Sequence, residues 1–335
     1  MRTALTELLG IEHPIVAAPM AGGPSTVELA VAVSEAGALG SLAGATLSPD
    51  ALREQIRAFR ARSSRPFAVN LFAPLDVAEA DDETVRAFDG FLEPHRRRLG
   101  LERGETKRPS WTPLDQLAVV AEERVPVFSF TFGIPPLDGL DDTVLLGTAT
   151  TVAEAGALEQ AGVHAVVAQG AEAGGHRGTF AGPFEDGLVP LAELLPAVVE
   201  RASTPVVAAG GIVDGAGITD ALRAGAAGVQ LGTAFLYARE SGASREWKDA
   251  LREHETFVSA AYTGRPARGA RTEFLAELHA GPPPAPYGIQ RALLDPFRGV
   301  PGYGWYLGGT GAPQARELPA AELVRTLVEE TEALR

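Results

Sequence analysis

The chain has 335 residues, of which 45% are hydrophobic and 21% charged, and it carries a formal net charge of −14 and no cysteine. This apolar fraction supports a large core and argues against wholesale disorder. The acidic balance argues against binding nucleic acid or anionic membranes through the overall field. The lack of cysteine excludes disulfides, thiolate nucleophiles, and zinc or iron–sulfur sites with cysteine ligands.

The first ten residues, MRTALTELLG, do not have the cationic segment and apolar core of a secretory signal. No run reaches the roughly 18 apolar residues that a transmembrane helix requires. We therefore expect a cytoplasmic protein that binds neither membrane nor nucleic acid. The sequence leaves its oligomeric state open.

Short β-rich runs alternate with alanine-rich helical patterns along most of the chain. Strands are predicted at 15–18, 39–42, 67–72, 125–130, 144–146, 164–168, 205–209 and 228–231, and helices at 25–35, 49–62, 114–123, 151–160, 191–201 and 215–224. Continuous apolar strands suit a parallel sheet buried on both faces. Eight of them with crossover helices favour an α/β fold, a closed (β/α)8 TIM barrel. No helix is predicted between 132 and 143, where GIPPLDGLDD has turn chemistry.

Two segments depart from this alternation. Residues 75–111 are charged and are predicted to form a surface excursion from the barrel. Residues 237–335 follow the eighth strand and contain a Gly/aromatic run at 299–311 and an amphipathic stretch at 319–334. We expect a barrel over 1–236. Over 237–335 we expect a cap on its carboxyl face that ends in a helix packed on the barrel, because sites in this fold lie at that face.

The stretch AQGAEAGGHRG at 168–178 follows an apolar run, so it leaves the carboxyl end of a predicted strand. Its glycines allow the backbone to approach a flat or anionic ligand closely. His176 is the side chain best suited to proton transfer or anion contact near neutral pH, and Gln169 adds an amide. A surface or packing histidine is the alternative, but the position after two glycines favours function. No pair of histidines has metal-ligand spacing, so we expect no metal.

A second glycine pattern lies at 205–235, with Gly210-Gly211 after the seventh strand and Gly232-Thr233 after the eighth. Loops at these two positions of a barrel commonly bind phosphate. Backbone N–H groups of Gly211 and of Gly232-Thr233, at the mouth of a following helix, would face the anion, and Thr233 can add a hydroxyl donor. Tight turns would explain either pair alone, whereas the two together favour an anion site.

Two further features suit a planar ring. APMAGGP at 18–24 follows the first strand, and Met20 can rest against a ring, although a plain turn is the alternative. Asn70 is polar within an apolar strand, and its amide needs partners from a ligand or the backbone. A flat ring with a phosphate tail, such as a flavin, fits these features, and no GxGxxG supports a Rossmann site. A barrel that binds a sugar phosphate is an alternative. Its Schiff-base version is disfavoured because Lys107 and Lys248, the two lysines, lie in polar surroundings.

The chain resembles the nitronate monooxygenases, which are FMN-dependent (β/α)8 barrels formerly called 2-nitropropane dioxygenases. The resemblance covers nearly the whole chain and rests on HPIVAAPMAGG, FAVNLFAP, AQGAEAGGHRG, VVAAGGI, GVQLGTAFL and YTGRPARGARTEF. It implies FMN as cofactor, and the oxidation of alkyl nitronates by O2 to a carbonyl compound and nitrite. Nitroalkanes are further candidate substrates.

The resemblance also implies roles for individual residues. His176 would be the catalytic residue beside the flavin, where it contacts the nitro oxygens or removes the α-proton of a nitroalkane as general base. The implied FMN contacts are Ala18, Met20, Gly22, Asn70, Gln169, Gly174, Gly211, Gln230, Leu231, Gly232 and Thr233. FMN-dependent enoyl-thioester reductases and NAD(P)H:quinone reductases share the barrel and the EAGGH loop. An NAD(P)H-dependent flavin reductase is therefore the alternative function.

Overall fold

The computed structural model describes residues 1–75, 81–104 and 110–335, and a barrel of parallel strands lies at its centre. The strands are β1 (Ile15–Ala17), β2 (Gly40–Ala43), β3 (Phe67–Phe72), β4 (Val127–Thr131), β5 (Val144–Ala149), β6 (Ala165–Gln169), β7 (Gly175–His176), β8 (Val206–Ala209), β9 (Gly228–Leu231), β10 (Thr256–Ser259) and β11 (Ala267–Ala270). Eight of these described strands pair in the order β1-β9-β8-β6-β5-β4-β3-β2. Val16 forms a parallel bridge to Leu39, which closes the ring. The predicted TIM barrel is confirmed.

Helices fill the segments between the strands. They are α1 (Ala4–Leu9), α2 (Val27–Glu35), α3 (Pro49–Arg60), α4 (Asp82–Leu99), α5 (Pro113–Glu122), α6 (Val152–Gln160), α7 (Leu191–Val199), α8 (Gly215–Arg223), α9 (Thr233–Leu236), α10 (Arg245–Glu253), α11 (Glu273–Ala280), α12 (Ile289–Leu294) and α13 (Ala320–Ala333). The six predicted helices correspond to α2, α3, α5, α6, α7 and α8. As predicted, the described residues between β4 and β5 contain no helix. No helix of the described ranges combines the length and apolar character needed to cross a bilayer.

Capping residues in the sequence define where several helices begin. The side chains of Thr26, Ser48, Thr112 and Thr151 each accept a hydrogen bond from a backbone N–H in the first turn of α2, α3, α5 and α6. Such a bond satisfies one of the donors that a helix start leaves unpaired, and is typically worth about 1 kcal/mol.

The side chains of the barrel strands divide between two layers of core. Ile15 and Val69 pack outward beneath the helices, whereas Val16, Ala68 and Val127 pack inside the barrel. Successive side chains of a strand point to opposite faces, so the next inward residues along each strand lie at its carboxyl end. These upper inward positions are Ala18, Asn70, Ser129, Thr148, Gln169, Ala209 and Gln230. The top layer of the barrel interior is therefore small or polar.

Helix α1 closes the opposite, amino-terminal end of the barrel, and it was not predicted. Leu5 and Leu9 are buried against the lower interior layer. A hydrogen-bonded capping box between Thr3 and Thr6 fixes where the helix begins. Six residues are too few to show a helical period in the sequence, so tertiary packing decides this element.

The predicted surface excursion contains α4, a helix of 18 residues. Phe88 and Leu92 on one side of α4 are buried against Phe274, Leu293 and Phe297 of the C-terminal segment. Most other positions of α4 are charged or exposed, so its narrow apolar stripe was not recognised as a helix. The parts of the excursion at 76–80 and 105–109 lie outside the described residues.

The C-terminal segment returns to the barrel at two places. Strands β10 and β11 form an antiparallel pair, and β11 also pairs with β7, in the loop after β6. Helix α13 packs against α2 and α8 on the outside of the barrel, in nearly the bounds predicted for a terminal helix at 319–334. Both contacts bring the end of the chain to the barrel.

Candidate active site

A cavity opens at the carboxyl ends of the barrel strands, above the small or polar upper layer. The predicted site residues that line it are Ala18, Met20, Gly22, Asn70, Gln169, Gly174, His176, Gly211, Gln230, Gly232 and Thr233. Within the described part of the chain, the charged lining residues are two arginines, Arg291 and Arg298; His176 also lines the cavity, and no carboxylate does. In a chain with a net charge of −14, this lining favours an anionic ligand.

Leu231 is the predicted contact that the structure places elsewhere. Its side chain is 1% exposed and packs in the outer core. Gln230 points into the barrel, so Leu231, one residue further along β9, points out of it. The backbone of Leu231 instead accepts a hydrogen bond from the N–H of Ala18 (2.9 Å) and so positions the loop after β1.

His176 is held by strand pairing rather than by the barrel itself. In the short strand β7, Gly175 and His176 pair with Arg268 and Ala267 of β11. Gly175 has φ +77°, a conformation that glycine adopts at little cost. The backbone N–H of Arg177 continues the pairing to the carbonyl of Pro266 (2.8 Å). The C-terminal segment therefore fixes the direction of the histidine.

Arg177 stabilises the loop that carries His176. It is fully buried, and its guanidinium donates to the carbonyls of Gly170 (2.7 Å), Gln169 (2.7 Å) and Gly187 (2.9 Å). Burial, with added repulsion from Arg268, lowers the pKa of Arg177 to about 10, so it stays charged at neutral pH. Since unpaired buried carbonyls are costly, this arginine stabilises one loop conformation. Sequence reasoning missed it, because arginine is rarely buried.

Gln169 was predicted as a cofactor contact, and the structure gives its amide a second role. Its Nε2 donates to the carbonyl of His176 (3.1 Å), and its Oε1 accepts from the N–H of Gly178 (2.8 Å). Both ends of the amide therefore hold the histidine loop, while the side chain borders the cavity. Asn70 is similarly anchored, since its Nδ2 donates to Ser129 Oγ (3.0 Å).

The imidazole of His176 lies among aromatic rings at one end of the cavity. The rings of Phe72, Phe132 and Tyr287 meet it edge-on, with centroids 6.5, 5.8 and 5.8 Å away. Phe132 takes the left-handed φ of +78°, which is strained for a bulky residue and occurs mostly at functional sites. Loss of water around His176 lowers its pKa to about 3, with added repulsion from Arg265 and Arg291. His176 is thus neutral at physiological pH.

We expect acid to destabilise the wild type more than His176→Asn. The unfolded histidine binds a proton below about pH 6.5 and the folded one only near pH 3, so stability falls between these values as pH decreases. At pH 5 the difference is about 2 kcal/mol. Thermal unfolding at pH 7 and pH 5 measures it. His254 is exposed, so His254→Asn is a control. This variant should lose as much stability between pH 7 and pH 5 as the wild type does. Equal acid sensitivity of His176→Asn and wild type would contradict a neutral, enclosed ring.

The other end of the cavity has the geometry of an anion site. Gly210 and Gly211 follow β8 with φ of +129° and +73°. Among the described residues, the backbone N–H groups of Gly211, Gly232 and Thr233 have no protein acceptor. Thr233 Oγ1 accepts a hydrogen bond from the N–H of Gly309 (2.9 Å), so its hydroxyl proton remains available for a ligand.

The start of α8 does not contribute to this anion site, whereas Gly232 lies directly before α9. Asp214 accepts from the N–H of Gly217 (2.9 Å), and Glu330 accepts from the N–H of Gly215 (2.9 Å). The protein's own carboxylates therefore occupy these donors. Glu330 belongs to α13, so local sequence gives no sign of it. The available donors come from the two glycine loops.

The C-terminal segment supplies lining residues that sequence reasoning did not assign. A Cβ on Gly174 would lie 2.4 Å from Gly308 C and from Gly309 N, so the histidine loop (168–178) and the LGGTG stretch (307–311) approach this closely at Gly174 because it has no side chain. The glycines of both stretches are the sequence feature that could have indicated this close contact. Further lining residues that were missed are Ser129, Thr131, Thr148, Trp247, Thr263, Tyr287, Arg291, Arg298 and Trp305. No group of three or more histidine, aspartate or glutamate side chains within the described ranges is placed to hold a metal ion.

Comparison with known proteins agrees with this geometry. The sequence model of the family described as nitronate monooxygenase matches residues 2–330. The chain is 41% identical to a nitronate monooxygenase of Pseudomonas aeruginosa, over 98% of this chain and 99% of the relative. It is 40% identical to a probable nitronate monooxygenase of Staphylococcus saprophyticus, over 89% and 87%.

Two solved structures are similar to this chain over nearly its whole length. A nitroalkane oxidase from Streptomyces ansochromogenes superposes with a TM-score of 0.91 at 40% identity, covering 99% of this chain and 98% of that one. FabK from Thermotoga maritima is more distant, with a TM-score of 0.78 at 29% identity, covering 100% and 97%.

Proposed function

This chain belongs to the nitronate monooxygenase family, and we propose that it binds FMN and oxidises alkyl nitronates with O2 to a carbonyl compound and nitrite. One observation carries the proposal. A single cavity joins a neutral histidine to two glycine loops with free N–H donors, and its described lining contains no carboxylate. Such a cavity suits a flat ring with an anionic tail beside an anionic substrate.

The residues present fit FMN at both ends of the molecule. Gly211, Gly232 and Thr233 would hold the phosphate through N–H groups that have no protein acceptor in the described chain. The glycines around the cavity leave room that side chains would fill, and this space suits a ring. Ala18, Met20, Gly22, Asn70, Gln169, Gly174 and Gln230 would contact that ring. When bound, FMN supplies the transfer of electrons from substrate to O2.

At the His176 end of the cavity, side chains of the protein supply positive charge and exclude water. Burial is the main cause of the lowered pKa of His176, and the positive charges of Arg265 and Arg291 add to it; the same charges favour an anionic nitronate beside the ring. The rings of Phe72, Phe132 and Tyr287 exclude water, which strengthens that attraction. We also propose that residues 237–335 form a cap on the barrel of residues 1–236, since Tyr287 and Arg291 reach the cavity from this segment.

A visible spectrum of the purified protein, followed by anaerobic titration, tests the function. We expect a yellow protein with the absorbance of bound flavin, which ethyl nitronate bleaches and NADH does not. Rapid bleaching by NADH would instead support the flavin reductase. A colourless protein that takes up no added FMN would refute the flavin site and favour a barrel that binds a sugar phosphate.

A further inference from the structure

The hydroxyl of Thr263 lies between the catalytic ring and the backbone of Arg265. The residue is 1% exposed, and its Oγ1 is 2.9 Å from His176 Nε2. The same Oγ1 donates to the carbonyl of Arg265 (3.0 Å) and accepts from the N–H of Arg265 (3.3 Å). A hydroxyl has one proton to donate. Since that proton goes to the carbonyl, the contact with His176 requires a proton on Nε2.

The opposite arrangement would leave a buried carbonyl unpaired. If Thr263 donated to Nε2, the carbonyl of Arg265 would lose its donor, and the described residues offer it no other. An unpaired buried carbonyl is disfavoured. No carboxylate within the described chain contacts the ring of His176, so Thr263 is the side chain that determines which ring nitrogen carries the proton.

We propose that Thr263 is a positioning residue that holds His176 as the Nε2–H tautomer and leaves the Nδ1 lone pair for the substrate. In the described residues Nδ1 has no protein partner, and the ring borders the cavity. This inference rests on the proposed function and deepens it. An unprotonated Nδ1 cannot donate a hydrogen bond to the oxygens of a nitronate, but it can accept a proton.

The step that this tautomer permits is ionisation of a neutral nitroalkane. The C–H bond at the α-carbon breaks, and its electron pair delocalises onto the nitro group to give the nitronate. The proton forms an N–H bond at Nδ1, so an imidazolium and a nitronate face each other, and charge is balanced. Oxidation of an added nitronate does not need this step. Thr263 therefore affects the two substrates differently.

The tautomer can be measured directly by long-range ¹H–¹⁵N NMR of the labelled holoenzyme, with His176→Asn assigning the signals. We expect the wild type and Thr263→Ser to show one tautomer, with the proton on Nε2. Thr263→Val removes the acceptor at nearly constant shape and should give a mixture or the Nδ1–H form. A wild type protonated on Nδ1, or an unchanged tautomer in Thr263→Val, would overturn the proposal.

Kinetics separate positioning from a structural role. With nitroethane, Thr263→Val should lose kcat/KM by less than the about 10²–10⁴-fold typical for complete loss of a general base, because the histidine is still present in part as the productive tautomer, whereas Thr263→Ser should stay near the wild type. With ethyl nitronate, Thr263→Val should lose less kcat/KM than with nitroethane, so the ratio of the two values should fall in Thr263→Val and stay near the wild-type ratio in Thr263→Ser. Thr263→Val should also melt at a lower temperature, because the carbonyl of Arg265 loses its donor. Equal losses on both substrates would mean that Thr263 is structural and would refute the proposal. A wild type active on ethyl nitronate alone would refute the proton-accepting role, and one inactive on both would refute the proposed function itself.

Discussion

His176→Asn is expected to lower kcat/KM for nitroalkanes by about 10²–10⁴-fold, the range typical for the loss of a general base. Asparagine can still donate a hydrogen bond to Thr263, but it provides no nitrogen that accepts a proton near neutral pH. The other ionisable lining residues, within the described chain, are Arg291, Arg298 and Tyr287. The arginines are cationic, and burial raises the pKa of Tyr287, so none replaces the base.

FMN should remain bound in His176→Asn, because the proposed donors for its phosphate lie on the loops after β8 and β9. Oxygen consumption measures turnover, and the visible spectrum of the same sample measures flavin content. His254→Asn, at an exposed position, controls for the loss of a histidine. Normal turnover of both nitroalkane and nitronate by His176→Asn would contradict the catalytic role.

Gly174→Ala is expected to weaken FMN binding by at least about tenfold and to lower stability by about 1–3 kcal/mol, the usual cost of overpacking. The new Cβ would lie 2.4 Å from Gly308 C and Gly309 N. Both are backbone atoms, so relief requires the two loops to separate. Gly309 donates to Thr233 Oγ1, and separation would therefore displace a proposed phosphate ligand.

Fluorescence titration of the apoprotein with FMN measures the affinity, and thermal unfolding measures stability. Gly299→Ala is the matched control, since a Cβ there meets nothing within 4 Å and its φ is not positive. The control should bind FMN as the wild type does. Unchanged affinity in Gly174→Ala would mean that the contact between the loops does not shape the cofactor site.

The elements that the sequence predicted are those whose signal is local. Apolar runs bounded by turns indicated the barrel strands, and two of them, at 67–72 and 228–231, have the predicted bounds. His176 and the glycine loops were recognised because glycines at strand ends are visible in a short window. Helix α4 was not, because its partners in the core lie almost two hundred residues further along the chain, and α4 by itself is largely charged.

The site residues that were missed depend on long-range contacts. The burial of Arg177 follows from three carbonyls that only the folded loop brings together. Leu231 was named as an FMN contact by resemblance, although the alternation along β9 turns its side chain outward. The capping of α8 by Glu330 joins residues 115 positions apart. A sequence window contains none of these pairings, and each one changes the interpretation of a particular side chain.

The pairing of β7 with β11 has a consequence for how the enzyme matures. Within the described chain, the ladder partner of His176 is Ala267, about ninety residues downstream. During translation the barrel strands leave the ribosome well before β11 does, because domains emerge from the amino terminus first. The nascent barrel therefore has its full set of strands while the imidazole still lacks its final orientation. The proposed catalytic histidine therefore reaches its final position only after β11, in the last third of the polypeptide, has been made.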